Sequence, residues 1–350
     1  MSDVLLPDAH LTYPHCNGFL EGGERVALTR YDPDAVRIVS VRWRDADRDE
    51  RILHVLPLAA TGGQNLQWLD IARDTDRLAL VNNNVLLAAD AGGALEPVWR
   101  PPAGLIPDHL VSLTPDGERI ALGAAAEDGS VYSVWEVEVS TGAATCLLEK
   151  TWWANHVTRS PFDERWIAFS HEGTATQTPD RVWALHPDKA PNGVCVLDQY
   201  AVSDAPGVFV AVGHERWAHH DLAVLAVAYG DSVAGPRGLY LAYPDGRPPR
   251  LVAAGERYWH CDISRDGRFA VVDTTGPSDR PGRGWQDADG VSDVLLVDLA
   301  GGGGGGGARR IARTTGPGHP WHPHPVFSPD GSAVFYNHCG EVRGAAVVRL

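Results

Sequence analysis

The chain has 350 residues, of which 44% are hydrophobic and 21% charged, so a sizeable core is possible and global disorder is not expected. The net charge of −15 argues against general binding to nucleic acids or anionic membranes, because no basic field is available to neutralise phosphates. The five cysteines are scattered and form no C-x-x-C pair, which indicates reduced thiols and not a disulfide framework.

The N-terminal residues lack the charged region and the long apolar run of a signal peptide. No apolar run elsewhere approaches the length of a membrane span. Together with the unpaired cysteines, these features predict a cytoplasmic protein. An anionic substrate would then need a local cationic site, since the overall charge of the chain repels it.

A weak repeat runs through the sequence, and each copy is a polar turn followed by a short apolar strand. Turns of the Asp-Gly kind are hairpin signals. Further strands with Val-Trp or Leu-Leu centres follow some copies, at 133–137, 181–185 and 293–299. The copies lie at 21–28, 74–80, 115–122, 161–168, 265–271 and 329–335, with a degenerate copy at 215–224.

Repeats of several strands, spaced by roughly 40 to 65 residues, are typical of a β-propeller. The copies predict an all-β, seven-bladed β-propeller that occupies 1–350 as a single domain. Asp266 and Asp330 are then turn residues and not catalytic acids. The glycine run at 301–307 lacks the lysine and the strand–helix context of a phosphate loop, and we interpret it as a flexible surface hairpin.

Several histidines occupy equivalent places in successive blades. Propellers gather functional residues at the mouth of the central channel, where loops from different blades converge. His156, His214 and His260 each precede the polar turn of their blade, so they are expected to face this mouth. His214 stands apart from the other clustered histidines and is a candidate general base. His171 follows the end of a predicted strand.

Three further histidines lie in the proline-rich segment 318–325. Its prolines prevent a regular helix and keep the chain extended, so His322 and His324 face the same side. His319 can bend back to join them, and His260 comes from the equivalent point of the preceding blade. Because neutral imidazole is the commonest metal ligand in proteins, the sequence predicts that these four histidines bind one metal ion.

Tryptophans flank the proposed site residues. Trp153, Trp259 and Trp321 carry a flat apolar face with a polar edge, which suits stacking on sugar rings. Packing between blades explains the same residues equally well, and the sequence leaves both interpretations open.

The site motifs follow one another as His156, Ser170-His171-Glu172-Gly173, Asp180-Arg181-Val182-Trp183, Gly213-His214-Glu215-Arg216-Trp217, His260 and His319-x-x-His322-Pro323-His324-Pro325. This series resembles the oligogalacturonate lyase family, whose members are seven-bladed propellers of the bacterial cytoplasm. They cleave short galacturonides by β-elimination with a manganese ion. The resemblance covers roughly the C-terminal two-thirds of the chain, and reaches the N-terminal blades only through the repeat.

The resemblance implies roles for particular residues. His260, His322 and His324 correspond to imidazole ligands, His214 to the catalytic base and Arg181 to a catalytic arginine. Where the family has a glutamine ligand, this chain has His319. A set of four imidazoles tolerates Mn²⁺, the expected divalent cofactor, but shifts preference towards Zn²⁺, Ni²⁺ or Cu²⁺.

These residue types also fit the chemistry of uronate cleavage. Removal of the C5 proton of a 4-linked uronide places negative charge on the C6 carboxylate, which a metal ion and an arginine stabilise. A histidine can accept the proton. The sequence thus predicts a metal-dependent lyase that acts on an acidic oligosaccharide, most simply an oligogalacturonide, as a monomer or homodimer. His156 and His171 would bind substrate alongside the tryptophans.

Two alternatives to this function remain open. One is a lyase for another uronic-acid glycan, because the choice of epimer depends on loop contacts. The other is a non-catalytic propeller that binds or scaffolds a partner, which would not need clustered histidines.

Overall fold

The computed structural model describes residues 3–58, 67–300, 307–315 and 318–350. Within these ranges the chain forms seven antiparallel sheets, three short 3-10 turns and no α-helix. None of the helical turns in the described ranges has the length or apolarity needed to cross a membrane. Each sheet is one blade of a propeller, which confirms the predicted seven-bladed architecture.

The first three blades come from the N-terminal part of the chain, after the first strand, which belongs to blade 7. In each blade, consecutive strands pair antiparallel, except that the first strand of blade 1 is in two pieces, which both pair with the strand that follows them. The strands are β1 Asp3–Pro7; β2 Ala9–Leu11, β3 Phe19–Leu20, β4 Arg25–Tyr31, β5 Ala35–Arg42 and β6 Arg51–Pro57 in blade 1; β7 Leu69–Ile71, β8 Leu78–Asn82, β9 Val85–Ala89 and β10 Glu96–Trp99 in blade 2; and β11 Leu105–Leu113, β12 Arg119–Ala126, β13 Tyr132–Glu138 and β14 Ala144–Lys150 in blade 3.

The remaining blades follow the same order. The predicted glycine hairpin connects the last two strands of blade 6, and its residues 301–306 lie outside the described residues. The strands are β15 Ala154–Arg159, β16 Ile167–His171, β17 Val182–His186 and β18 Ala190–Cys195 in blade 4; β19 Val212–Trp217, β20 Val224–Ala228, β21 Gly238–Ala242 and β22 Arg250–Ala254 in blade 5; β23 Tyr258–Ile263, β24 Phe269–Thr274, β25 Val291–Asp298 and β26 Ala308–Thr315 in blade 6; and β27 Val326–Phe327, β28 Ala333–His338 and β29 Gly344–Arg349 in blade 7.

The N-terminal strand closes the ring. Blade 7 has only three strands of its own, and β1 pairs antiparallel with β29 as its fourth strand, from Asp3 opposite Val347 to Pro7 opposite Gly344. The two ends of the chain are therefore held in one sheet, which removes an open edge between the first and last blades.

Apolar side chains fill the space between neighbouring blades. Seven clusters of buried residues in the described chain each join one blade to the next. The cluster between blades 7 and 1 contains Leu5, Val26, Phe335 and Val347, so it also secures the closing strand. Full burial of each such side chain contributes roughly 1.5–3 kcal/mol. The core is thus distributed around the ring.

The polar turns of the repeat are hairpin turns followed by a strand, as the sequence predicted, and they join the first and second strands of each blade. In blade 6, Asp266 accepts hydrogen bonds from the Ser264 hydroxyl at 2.7 Å and from the Arg268 amide at 3.1 Å. Gly267 adopts φ +73°, a conformation that a side chain would strain. Asp330 makes the equivalent contacts in blade 7, so neither aspartate is catalytic.

First strands of neighbouring blades contact one another, as β11 does with β7 and β15, and β23 does with β19 and β27. They therefore line the central channel. In blade 1 this strand is interrupted between β2 and β3, and we call residues 12–18 the channel segment. Thr12 Oγ1 donates to the Leu69 carbonyl of blade 2 at 2.6 Å, and Cys16 Sγ lies 3.5 Å from the Val111 carbonyl of blade 3. The segment crosses the channel.

All five cysteines are free, as predicted from their spacing. Cys16 and Cys261 are buried, and burial raises the pKa of both thiols well above the ordinary value. Both are inert, structural thiols in this state.

Candidate active site

A β-bulge interrupts the first strand of blades 4, 5 and 6 near its third residue. That residue is His156 in β15, His214 in β19 and His260 in β23, and the register of each strand shifts around it. His156 and His214 adopt positive φ angles of 54° and 50°. Bulges re-aim side chains, and such strained backbone is concentrated at functional sites.

The bulged histidines meet the proline-rich segment of blade 7 at one end of the channel, which we call the histidine mouth. The ring of His260 lies 4.0 Å from that of His214 and 4.2 Å from that of His324, centroid to centroid. His324 also has a positive φ, of 45°. The structure therefore brings together side chains from three blades, as their equivalent places in the repeat predicted.

Three of these imidazoles form a group that can hold a metal ion. One potential ligand atom from each of His260, His322 and His324 lies within 4.8 Å of the other two. The Nε2 atom of His260 and both ring nitrogens of His324 are buried and have no hydrogen-bond partner. Buried polar atoms without partners are unfavourable, and three imidazoles are a donor set that suits Mn²⁺, Zn²⁺ or Ni²⁺. The residues therefore fit a divalent cation.

Asp273 orients this group from behind. Its Oδ2 lies 2.8 Å from Nδ1 of His260, and burial raises the pKa of Asp273 to about 7. When Asp273 is ionised, Nδ1 carries the proton and Nε2 presents its lone pair. The same oxygen accepts a hydrogen bond from the His324 amide at 3.2 Å. One buried carboxylate thus fixes ligand-bearing residues of two blades, as partners of metal-binding histidines commonly do.

His319, the fourth predicted ligand, lies beside the group but outside it. Its residue is exposed, and its ring centroid is 4.6 Å from that of His322 and 5.1 Å from that of His324. Its role as a ligand stays a prediction, because its nitrogens do not belong to the group of three.

His214 has the tautomer that a general base needs. Its Nδ1 lies 2.7 Å from the Trp259 carbonyl, which can only accept, so Nδ1 carries the proton and Nε2 has the lone pair. The Tyr229 hydroxyl is 3.1 Å from the same Nδ1. Burial is the main reason why the pKa of His214 is well below its ordinary value, which keeps the ring neutral.

Arg181 is buried near His214 and is already paired. Its Nη2 donates to Glu172 Oε1 at 2.5 Å and its Nη1 to the Gly173 carbonyl at 3.2 Å. Gly213 makes this arrangement possible, since a Cβ there would lie 2.9 Å from Arg181 Nε and 2.1 Å from the Tyr229 hydroxyl. A substrate carboxylate would therefore have to compete with Glu172 for the guanidinium group.

His156 belongs to a second polar cluster in the channel. Its Nε2 lies 3.3 Å from the Tyr13 hydroxyl, and its Nδ1 lies 3.4 Å from Glu172 and 3.5 Å from Glu215. Burial lowers the pKa of His156, but the hydrogen bond to Glu215 and the two carboxylate charges outweigh it and raise the pKa. Burial likewise opposes ionisation of Glu215, yet His156 holds its pKa below the ordinary value. The two residues form a buried ion pair.

Two predicted substrate-binding residues lie away from the metal group. His171 stacks on Trp152, with centroids 4.2 Å apart, and its Nδ1 is 2.8 Å from Asp180. It follows Ser170, which contacts His156, so His171 points to the other face of the strand. Trp153 is 47% exposed and lines a separate cavity of about 160 Å³. Substrate contacts of both residues stay predictions.

The other two tryptophans flank the histidine mouth. Trp259 is half-buried, with its ring 5.0 Å from His214 and 4.7 Å from Tyr229. Trp321 borders a surface cavity of about 550 Å³, and the Arg343 guanidinium group covers its ring at 4.3 Å. Trp259 therefore packs against the candidate base, whereas Trp321 faces an open space.

Sequence reasoning missed several members of the site. Tyr13 and His15 lie in the channel segment, before the first repeat copy, and no local pattern places them in the channel; both rings pack against His156. Glu215 is part of a quoted motif, but nothing in that motif indicates its burial. Asp273 is the next-to-last residue of β24, and only its register opposite the β23 bulge brings it to His260.

Comparisons with known proteins agree with this architecture. No protein-family model and no curated protein sequence matches the chain. A solved structure of an oligogalacturonate lyase in complex with manganese is similar over 99% of this chain and 92% of its own, with a TM-score of 0.78 and 19% identity. The oligogalacturonate lyase of Vibrio parahaemolyticus gives a TM-score of 0.77 with 16% identity and the same coverage.

A more distant similarity involves part of a larger enzyme. Porphyromonas gingivalis dipeptidyl peptidase 4 matches 95% of this chain with 50% of its own, at a TM-score of 0.52 and 11% identity. At these identities the comparisons show the fold. The family resemblance read from the motifs is thus matched by a similarity of the whole propeller to oligogalacturonate lyases.

Proposed function

We propose that this chain is a metal-dependent lyase that cleaves short uronate oligosaccharides, with oligogalacturonides as substrate, by β-elimination. The observation that carries the proposal is the placement of His214 beside the metal group. A neutral imidazole with a free Nε2 lies 4.0 Å, ring to ring, from a histidine whose own Nε2 is buried and unpartnered. A base next to a cation site is what proton removal beside a carboxylate requires.

His260, His322 and His324 would hold the divalent cation, which supplies positive charge for the C6 carboxylate of the uronate when bound. The manganese complex of a structurally similar oligogalacturonate lyase supports Mn²⁺ as this cation. Asp273 would keep His260 in the ligating tautomer.

His214 would accept the C5 proton at Nε2, because Nδ1 is engaged with the Trp259 carbonyl. The electron pair of the C5–H bond forms the C4–C5 double bond, while the C4–O4 bond breaks and its electrons leave with O4. The departing oxygen takes up a proton, which gives one new reducing end and one 4,5-unsaturated uronate. A positioned base contributes roughly 10²–10⁴-fold to such a step.

Arg181 would donate hydrogen bonds to the same carboxylate, which would share the guanidinium group with Glu172. Because Glu172 already pairs with it, the guanidinium group is held in position before substrate binds. His156 and Tyr13 offer further polar groups in the channel for the hydroxyls of the sugar. Preorganised groups of this kind stabilise developing charge without reorganisation.

The test is an absorbance assay for the unsaturated uronate over a panel of acidic oligosaccharides, with and without a chelator. We expect product from oligogalacturonides, loss of the signal after chelation, and its return on addition of Mn²⁺. Product from glucuronate-containing substrates alone would change the substrate assignment. Absence of product from every uronate, with the metal bound, would contradict the lyase function.

A further inference from the structure

The opposite end of the channel is lined by a different set of residues. Its mouth opens into a cavity of about 480 Å³ to which every blade contributes, from Gly23 in blade 1 to Pro329 in blade 7. A smaller space of about 50 Å³ shares part of the same lining and continues inwards. The lining comes from the turns after the first strands. In blade 6, for example, His260 is the third residue of β23, whereas Arg265 follows the end of the strand.

Arginine side chains from three blades line this end, which we call the arginine mouth. They are Arg73 of blade 2, Arg216 of blade 5 and Arg265 of blade 6. Arg216 is neutralised, since its Nε donates to Asp262 at 2.8 Å. Arg73 and Arg265 make no hydrogen bond and no ion pair with any residue in the described part of the chain. Two guanidinium groups therefore face the cavity with unused donors.

The charges at this mouth are close enough to influence one another. Burial lowers the pKa of Arg73, with Asp70 opposing and Arg216 and Arg265 adding to the decrease. Burial and then the three arginine charges lower the pKa of His219, which also lines the cavity, to about 3. Like charges held together with too little counter-charge are unfavourable, so a ligand that supplied further negative charge would be favoured.

Carboxylates near the mouth supply part of the counter-charge, since Asp70 and Asp74 oppose the decrease in the pKa of Arg73, but they form an ion pair with neither Arg73 nor Arg265 in the described residues. Asp70 accepts hydrogen bonds from the Asn17 and Leu113 amides, and burial raises its pKa to about 6. Asp76 accepts from the Glu21 amide at 2.9 Å. Asp74 also lines the outer cavity, but it is not within ion-pair distance of Arg73 or Arg265 in the described residues.

We propose that the arginine mouth binds a small multivalent oxyanion, of the phosphate or carboxylate type, between Arg73 and Arg265. The planar guanidinium group can donate two parallel hydrogen bonds to a phosphate or a carboxylate. Two such groups from separate blades would bind opposite sides of one ligand. Since the chain carries a net charge of −15, anions are retained only where local donors outweigh the overall repulsion. The site is independent of the proposed lyase function.

Isothermal titration calorimetry with inorganic phosphate and, separately, citrate tests this proposal, at constant ionic strength in chloride buffer. We expect saturable binding of at least one of the two anions, and their relative affinities identify the preferred type. Arg73→Gln and Arg265→Gln should each weaken that binding by at least ~10-fold, because each removes a charge-assisted bidentate contact. Lyase activity is not a readout, so failure here is separate from failure of the proposed function.

Arg268→Gln is the matched control. Arg268 belongs to the same turn as Arg265, but its guanidinium group lies over the Phe269 ring, 5.4 Å from the centroid, and it does not line the cavity. Binding should be unchanged in this variant. If Arg73→Gln does not fold, the variants of the exposed Arg265 provide the test. Arg265→Lys keeps the positive charge but lacks the planar guanidinium group, so its anion affinity should be intermediate. Binding no stronger than that of chloride, or binding unchanged in Arg265→Gln, would overturn the proposal.

Discussion

The histidine mouth and the arginine mouth are formed by opposite ends of the same first strands, yet they carry different chemistry. At the histidine mouth, bulges in β15, β19 and β23 interrupt the regular pairing and place neutral imidazoles close together. At the arginine mouth, the strands end in regular polar turns, and permanently charged guanidinium groups project beyond them. Bulged backbone thus brings the imidazole lone pairs of the histidine mouth close together. At the arginine mouth regular turns are sufficient, because the long arginine side chains reach the cavity by themselves.

The channel segment separates the two mouths. Tyr13 contacts His156 and His324 on the histidine side, while Asn17 lines both cavities on the arginine side. A single channel is therefore divided into two spaces, one lined by histidines and one by arginines. Changes at either end can be used to test how independent they are.

The largest effect is expected from His324→Ala. It removes the most buried imidazole of the metal group. Metal affinity should therefore fall by more than the ~10–100-fold that is typical when a residue hydrogen-bonded to a metal ligand is replaced. Metal analysis after dialysis against Mn²⁺ measures this, together with the lyase assay. His338→Ala, a histidine of the same blade that lies outside the group, should keep its metal. Full metal content in His324→Ala would refute the metal group.

His214→Ala separates chemistry from metal binding. We expect turnover to fall by at least ~10²-fold, while metal content and most substrate affinity remain, because only proton transfer is lost. Steady-state kinetics and metal analysis on the same preparation give both quantities. Near-normal turnover would move the base to another histidine, with His156 as the next candidate.

Asp273→Asn tests the support behind the metal group. The amide oxygen of Asn can still accept the hydrogen bond from Nδ1 of His260, but it lacks the negative charge that makes the imidazole a stronger ligand. Metal affinity should therefore fall by ~10–100-fold. Competition with a fluorescent chelator measures the dissociation constant. An unchanged constant would show that Asp273 has only a structural role at this mouth.

The smallest effect concerns the pH dependence of stability. Because the pKa of Glu215 is lowered in the folded protein, its ion pair contributes stability above the unfolded value near 4.5, and this is lost as the pH falls below it. The pKa of His156 is raised, so its contribution is present below 6.5 and is lost as the pH rises through the folded value.

Glu215→Gln should therefore unfold at lower denaturant concentration than the wild type between pH 4.5 and 6.5, with a smaller change outside this window. Urea titrations followed by tryptophan fluorescence measure the difference. The exposed Glu256, paired with Arg237, offers the control variant Glu256→Gln, which should show no such window. A constant difference across the whole pH range would contradict the ion pair.

The sequence was sufficient to predict the propeller because its signals are local. Each Asp-Gly turn and the strand that follows can be read within eight residues, and counting the copies gave the number of blades. The spacing and flanking prolines also predicted that His322 and His324 lie together, although the positive φ of His324 departs from the extended chain on which that prediction rested. Equivalent positions in the repeat were enough to bring His260 to that pair.

Only the tertiary structure decided the details of both mouths. A bulge depends on how a strand pairs with its neighbour, so the turn of His214 towards His260 and the approach of Asp273 have no signature in a single strand. The channel segment contacts blades far apart in sequence, and His156 of another blade is the main group that lowers the pKa of Glu215. Contacts between blades fix the channel segment and the pair of Glu215 with His156, whereas the approach of Asp273 to His260 depends on the pairing of two strands within blade 6.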